Sequence, residues 1–442
     1  MKSALSEFAL ELGYDDLDDD VKVFARRCLL DIVGVAAAGS TTEMSQLMRN
    51  HVAEQFGAGE KAATMLFDGR RVSPVGAALA GGVTIDSVDA HDGHKLTKGH
   101  VGCGVVPAVL ALSEAHAVDD AAELLTKLVI GYELGTRAGM ALHRTAPDYH
   151  TSGAWVAVAC AALGARTLGL DHGATREALG IAEYHGPRSQ MMRVIDHPTM
   201  IKDGSGWGAM AGLSAAYLAA DGFTGAPAIT VEADEVADLW GDLGSRWRIF
   251  EQYFKPYPVC RWAQPAVEAA LDLCRHHDLE AADIDHLEIT TFHEASRLAT
   301  AAPANTEQAQ YSLAFPTAAA IVRGRLGVAE VDGEALSDPE ILRLSTGAVI
   351  GERDAFNDEF PARRFAEVAI VTRSGHRFYS PPTEARGDPE AHLDYDEIVT
   401  KFIDYASPVV GHERASLIRS EIEQLDSGGE VGTLRGLLSS GA

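Results

Sequence analysis

The chain has 442 residues, 46% of them hydrophobic, with 64 acidic against 37 basic side chains and a formal charge of −27. This length and balance predict a folded chain of about two domains. The acidity disfavours nucleic acid and anionic lipid over most of the surface, so an anionic ligand needs a local basic island.

In chain order, apolar residues recur at helical spacing over residues 4–12 and 20–38 (Val23, Leu29, Leu30, Val33), stopping near Gly39. Residues 60–73 read as a short extended excursion in which DGR closes a hairpin. Residues 105–117, 121–144, 153–168, 175–183, 207–221 and 232–239 then read as helices dense in alanine and glycine, which pack closely. A doubly wound sheet is excluded. Past Cys274 the pattern changes: residues 283–292 alternate like a half-buried strand, and 365–372 with 376–379 form a hairpin about Ser374-Gly375. Residues 316–322 and 337–344 between them are helical, as are 396–405 and 413–425, while the last dozen residues are expected to fray. The predicted fold is mainly α: a large all-helical domain (1–270, completed by 390–442) and a smaller inserted α+β lid domain (271–389).

Five cysteines (Cys28, Cys103, Cys160, Cys260, Cys274) without CxxC spacing predict a reducing, cytoplasmic setting. The N-terminus lacks signal-peptide order. The longest apolar stretches, residues 155–164 and 209–220, fall short of the ~20 needed to span a bilayer, so no membrane span is expected.

The chemistry-bearing stretch is GGVTIDSVDAHDGHKLTKGHVGCG, residues 81–104, where Asp89, His91, Asp92, His94 and His100 crowd the loop before an apolar helix. All are metal-ligand types, but their spacing matches neither HExxH nor a Cys/His framework. Acid–base and substrate-binding roles are favoured, with no metal and no cofactor assigned. A metal-dependent hydrolase on this cluster is the weakest alternative. His150, in DYHTSGAWVAV, precedes a helix whose dipole disfavours imidazolium and whose free N–H groups suit an anion. Lys202, before Gly204, Gly206 and Gly208, offers a second anion site; the rival reading of those glycines is tight helix packing. Their spacing is not a dinucleotide fingerprint. In FKPYPVCRWAQP, Lys255 and Arg261 complete a basic island with Lys202. Cys260 beside Arg261 could be a nucleophile, but no histidine partner can be assigned and packing is preferred.

The order of these segments resembles the MmgE/PrpD family, which includes 2-methylcitrate dehydratase, cis-aconitate decarboxylase and iminodisuccinate epimerase. The similarity runs from DIVGVAAAG (31–39) through LGLDHGATREALGIA (168–182), DGFTGAP (221–227) and KPYPVCR (255–261) to LDYDEIVTKF (393–402). It implies a homodimer with a cofactor-free site between helical body and lid, acting on small di- and tricarboxylates by proton abstraction next to a carboxylate. On the family pattern Asp89 and Asp92 match the outer acids of DxDD, His100, His150 and Lys255 match functional positions, and Lys202 matches the family lysine after a one-residue shift. Asp89, Asp92, His91, His100 and His150 then become the catalytic candidates, and Lys202, Lys255, Arg261 and His94 the substrate-binding ones. This sequence departs from the pattern at His91 (an acid), Gly93 (Thr), Val101-Gly102 (Pro after the histidine), Phe315 (the tyrosine of SxxY) and Cys260 (a histidine in a decarboxylating relative). The expected activity is a lyase that adds or removes water at a 2-hydroxy polycarboxylate, with an epimerase as the nearest alternative.

Overall fold

The computed structural model describes residues 4–426 and 431–439. The fold is mainly α, and two main hydrophobic cores organise it, with a smaller cluster, including Met44, Val52 and Leu79, beside the first. The first core draws on the N-terminal helices and, from the other end of the chain, Leu393, Ile398, Phe402, Ile418, Leu434 and Leu438. Helix Asp19–Gly39 lies against helix Tyr395–Val410. There Lys401 Nζ donates at 2.6 Å to Asp31 Oδ1 and at 2.6 Å to the Ala90 carbonyl, so a buried ion pair joins both chain ends to the polar loop.

Most predicted helices form within a few residues of the expected bounds: Gly102–Ala115, Ala121–Thr145, Gly153–Leu168, His172–His185 and Ser205–Ala220. Helix Glu43–Gln55 was not anticipated, because it buries only a narrow stripe (Met44, Ser45, Val52) and gives little apolar periodicity. Its start is instead marked by Thr42, whose hydroxyl accepts from the Ser45 N–H. The helix expected at 232–239 breaks into Ile229–Glu232 and Ala237–Trp240, since Ala233 between them is extended (φ −69°, ψ 138°). The C-terminus also departs from expectation: residues 431–439 form a helix that buries Val431, Leu434 and Leu438. Only residues 440–442 of the stretch expected to fray lie outside the described residues.

The second core runs from Tyr257 to Ile370, with Met191, Val194 and Ile195 reaching in from the helical body. Helix Gln264–His277 packs on a four-stranded sheet in the order Val349–Glu352, Ile284–Thr291, Ala366–Thr372, Arg377–Tyr379. The first pair is parallel and the others antiparallel. The expected hairpin is present, with Gly375 at φ +88° in its turn. The exposed parallel edge strand was missed; its short VIGE has only one half-buried residue and little apolar signal. The DGR hairpin near the N-terminus also forms, pairing Ala63 with Val72. Among the described residues no helix is long and apolar enough to cross a membrane.

Glycine sets the distance between the helices that carry the site. Helix Ser205–Ala220 runs against helices Gly153–Leu168 and Pro74–Asp86. A Cβ on Gly208 would stand 2.3 Å from the Gly153 carbonyl oxygen, and one on Gly206 2.5 Å from that of Leu79. These glycines therefore serve packing, the rival reading above. Backbone obstructs the added methyl, so Gly208→Ala should destabilise the fold by about 1–3 kcal/mol. Gly57→Ala, where a Cβ meets nothing within 4 Å, should change stability by less than about 0.5 kcal/mol. Urea denaturation of the two variants checks the contrast.

Candidate active site

The polar loop leaves helix Pro74–Asp86 and ends at helix Gly102–Ala115. Gln310, from the second core, fixes its start: its Oε1 accepts from the Asp89 N–H at 2.9 Å and from Lys202 Nζ, and its Nε2 donates to the Ser87 carbonyl at 3.1 Å. Short pairing of residues 93–94 with 252–253 fixes its middle. Sequence gave no hint of Gln310, whose role comes only from long-range contact.

His100 lies at the centre and is buried. Its Nδ1–H donates to the Asp92 carbonyl at 2.5 Å, which leaves the lone pair on Nε2 when the ring is neutral. Nε2 faces Asp203 Oδ2 at 3.4 Å and Asp89 Oδ1 at 4.0 Å. Burial, then the nearby His91 and Lys255, push His100 well below the usual histidine range, so the neutral ring prevails at neutral pH. Ser152 Oγ accepts from the His100 N–H at 2.9 Å and donates to Asp203 Oδ2 at 3.1 Å. Burial, then the carboxylates of Asp86 and Asp89, raise Asp203 to about 8. Asp203 was missed because it reads as an ordinary turn acid after Lys202.

Asp89 behaves in the opposite way. Burial would raise it, but the Lys255 ammonium, bonded to its Oδ1, and the adjacent His91 and His100 hold it well below the carboxylate range. Asp92 forms no ion pair among the described residues: its Oδ2 accepts from the Tyr132 hydroxyl, and burial, then Asp31, raise it to about 7 against the opposing pull of that bond and of Lys401. One cavity is lined by Asp89, His100, Asp203, Tyr253, Cys260, Arg261, Tyr311 and Arg364, among others. Lys202 bonds Gln310 beside it, with Nζ 5.1 Å from the Tyr311 ring centre. A larger groove, lined by Arg323, Arg386, Asp396 and Lys401 among others, carries no histidine or cysteine. The acid–base groups line the smaller cavity, of about 20 Å³.

The remaining candidates have other surroundings. His91 is buried behind His100, with ring centres 4.2 Å apart, and its Nε2 lies 3.2 Å from Asp86 Oδ1 without hydrogen-bond alignment. His94 pairs with Glu251 at 3.0 Å and holds the loop rather than lining the cavity. His150 Nδ1 bonds the Asp148 carbonyl at 2.8 Å; it is Tyr149, not His150, that lines the cavity. His150 is nonetheless two residues from Ser152, so it lies close to the site. The helix after it does not offer a free anion site, because the Gly153 N–H donates to the Asp203 carbonyl at 3.1 Å. Nor does the helix after Lys202, whose Ser205 N–H already meets Asp86 Oδ2 at 3.2 Å. Arg261 is committed to Asp388 Oδ1 at 2.6 Å, to the carbonyls of Ala385 and Arg386, and to Gln264. Burial, then Asp89, push the Cys260 thiol up to about 12, which suits packing rather than nucleophilic attack. Asp89, His91 and His100 bring possible metal-ligand atoms within 4.8 Å of one another, but a cation bound there would confront Lys255 Nζ on the same Asp89 oxygen.

A mainly helical chain that buries a neutral histidine against a proton-holding carboxyl, with lysines close by, has the makings of an acid–base enzyme. The chain belongs to the MmgE/PrpD family: the N-terminal domain model matches residues 3–241 and the C-terminal domain model residues 257–427. It is 22% identical to a cis-aconitate decarboxylase-like protein of Aspergillus oryzae over 98% of this chain and 96% of that protein. It is 23% identical to a cis-aconitate decarboxylase of Aspergillus terreus, over 98% and 95%. These similarities establish a lyase-like enzyme family.

The raised Asp203 has a measurable consequence. Above about pH 4 the unfolded chain has released this proton, while the folded chain holds it until about pH 8. Through this group, wild-type stability therefore falls as pH rises from about 4 to about 8. Asparagine cannot ionise, so the melting temperature of Asp203→Asn minus that of wild type should grow across this window and level off above it. Thermal unfolding at about pH 5, 7 and 9 measures the difference; a constant value would mean that Asp203 is ionised throughout.

Proposed function

We propose that the protein is a hydratase/dehydratase-type lyase acting on a small 2-hydroxy di- or tricarboxylate. The carrying observation is the 3.4 Å approach of His100 Nε2, bearing its lone pair, to Asp203 Oδ2, within a cavity flanked by cations. In the dehydration direction His100 Nε2 takes the proton from the carbon next to a substrate carboxylate. The charge growing on that carboxylate is stabilised by the field of Lys202 and Lys255, which lie beside the cavity and are themselves bonded to Gln310 and Asp89. Asp203, protonated below about pH 8, donates to the departing hydroxyl. The C–H and C–O bonds break, a C=C bond forms and water leaves. Passage of the proton from imidazolium to the Asp203 carboxylate restores both groups. Asp89 holds Lys255 in place, and the Asp92 carbonyl holds the His100 tautomer. Asp203 here takes the acid role, and His150, a catalytic candidate from sequence, takes none.

The names of the Aspergillus relatives favour a second reading, decarboxylation of cis-aconitate on the same residues. Against it, Cys260 stands where a decarboxylating relative has a histidine, and a thiol at about 12 exchanges no proton near neutrality. Incubation with cis-aconitate separates the two: hydration yields hydroxy acids without carbon dioxide, whereas decarboxylation releases it. Deuterium uptake with inversion and no change in alkene absorbance would favour epimerisation. The reading also takes the enzyme as a cytoplasmic homodimer without cofactor; light scattering tests the dimer, and a stoichiometric transition metal in the purified protein would overturn the cofactor-free site.

With its base neutral and its acid protonated, kcat/KM should hold level between about pH 6 and 7.5 and fall above about pH 8 as Asp203 ionises. His100→Gln should lower kcat by about 10²–10⁴-fold. A profile that instead rises through pH 8 would assign the proton donor elsewhere.

A further inference from the structure

Four arginines are buried: Arg137, Arg248, Arg261 and Arg364. Three meet carboxylates: Arg137 bonds Glu133 and Asp242, Arg248 bonds Glu251, and Arg261 bonds Asp388. Arg364 meets none among the described residues. It is only 3% exposed, its Nη2 donates to the Lys95 carbonyl at 3.2 Å, and its Nε and Nη1 have no acceptor. Asp388 lies within range of its field, but that carboxylate is bonded to Arg261.

An unpaired guanidinium in a protein interior is costly, and two orphaned donors add to the cost. Arg364 nevertheless lines the same cavity as Asp89, His100 and Asp203, its guanidinium carbon 5.6 Å from the Tyr253 ring centre. The tyrosine face leaves the planar cation aimed and held, but without an anion. The cavity's other arginine is saturated, and Lys255 is taken by Asp89.

We propose that Arg364 is the substrate-anchoring arginine, binding one carboxylate of a di- or tricarboxylate away from the carbon that loses its proton. The proposal rests on the lyase reading above and extends it to an anchor that the sequence did not single out. A guanidinium fork donates two parallel N–H bonds to the oxygens of one carboxylate, which lysine cannot reproduce.

The test uses tricarballylate, a tricarboxylate with no leaving group, titrated calorimetrically into wild type, Arg364→Gln, Arg364→Lys and His100→Gln. Wild type and His100→Gln should bind it. Arg364→Gln should weaken binding roughly ten- to hundredfold, and Arg364→Lys by less, with melting temperatures close to wild type. On any substrate that wild type turns over, the two Arg364 variants should raise KM far more than they lower kcat. If wild type binds but both arginine variants bind within about twofold of it, the anchor is refuted and the lyase reading stands. Absence of wild-type binding to tricarballylate, together with no turnover of any polycarboxylate, would sink both. Should Arg364→Gln fail to fold, Arg364→Lys alone decides, because unchanged affinity in it excludes a fork-specific anchor.

Discussion

The structure depends on neutralising a set of carboxyl groups buried around one loop. Asp31, Asp86, Asp89, Asp92 and Asp203 are all buried, and so are Lys202, Lys255 and Lys401. These five carboxyls outnumber the three ammoniums, and a buried unpaired charge is among the most costly features a fold can hold. Part of the difference is met by protons, held by Asp203 up to about 8 and by Asp92 up to about 7, while His91 lies beside Asp86. Each acid is assigned by its neighbours: Asp89 keeps its charge because Lys255 touches it, whereas Asp203 faces other acids and holds its proton. Desolvation acts on both, and only the pairing differs. The catalytic inventory proposed above is thus the same arrangement that lets the loop be buried.

That arrangement requires distant segments to converge. Lys401 comes from the C-terminal helix, Lys255 and Gln310 from around the second core, Lys202 and Asp203 from the turn before helix Ser205–Ala220. Removing one partner leaves the other buried and charged, so packing of the two cores and assembly of the site are coupled. The small residues between the helices follow from the same need, because the close helix contacts carry Asp203 to the His100 ring and Asp86 to His91.

Local chemistry made much of this legible in sequence. Helical periodicity, the turn at Ser374-Gly375 and the alternation of residues 284–291 each report a nearest-neighbour preference, and the elements formed there. The polar loop stood out because so many ionisable residues precede an apolar helix. What sequence could not show is pairing. Asp203, Gln310 and Ser152 look like ordinary turn residues until residues far away in the chain contact them. Lys255 and Arg261, only six positions apart, look equivalent as cations, yet one meets Asp89 and the other Asp388. His94 and His100 both read as site residues, but Glu251 occupies one while the other faces the cavity.

The departures from the family pattern also have a common physical reading. A Cβ on residue 93 would stand 2.5 Å from the Tyr253 hydroxyl and 2.7 Å from His100 Nδ1, so threonine there cannot coexist with this placement of tyrosine and histidine. Tyr253 in turn forms the aromatic face beneath both Arg261 and Arg364. Phe315, at the position of the family tyrosine, is buried in the second core, while Tyr311, four residues earlier, lines the cavity next to Lys202. Tyr311, in the link between helices Thr306–Gln310 and Ala314–Arg323, thus presents a phenol to the site where Phe315 does not. Cys260 gives up a proton-exchanging group, and the Asp203–His100 pair supplies one. On the reading proposed above, Asp203 and His100 then supply the acid and the base, and the groups that differ from the family pattern bear on where a substrate places its carboxylates more than on the proton chemistry.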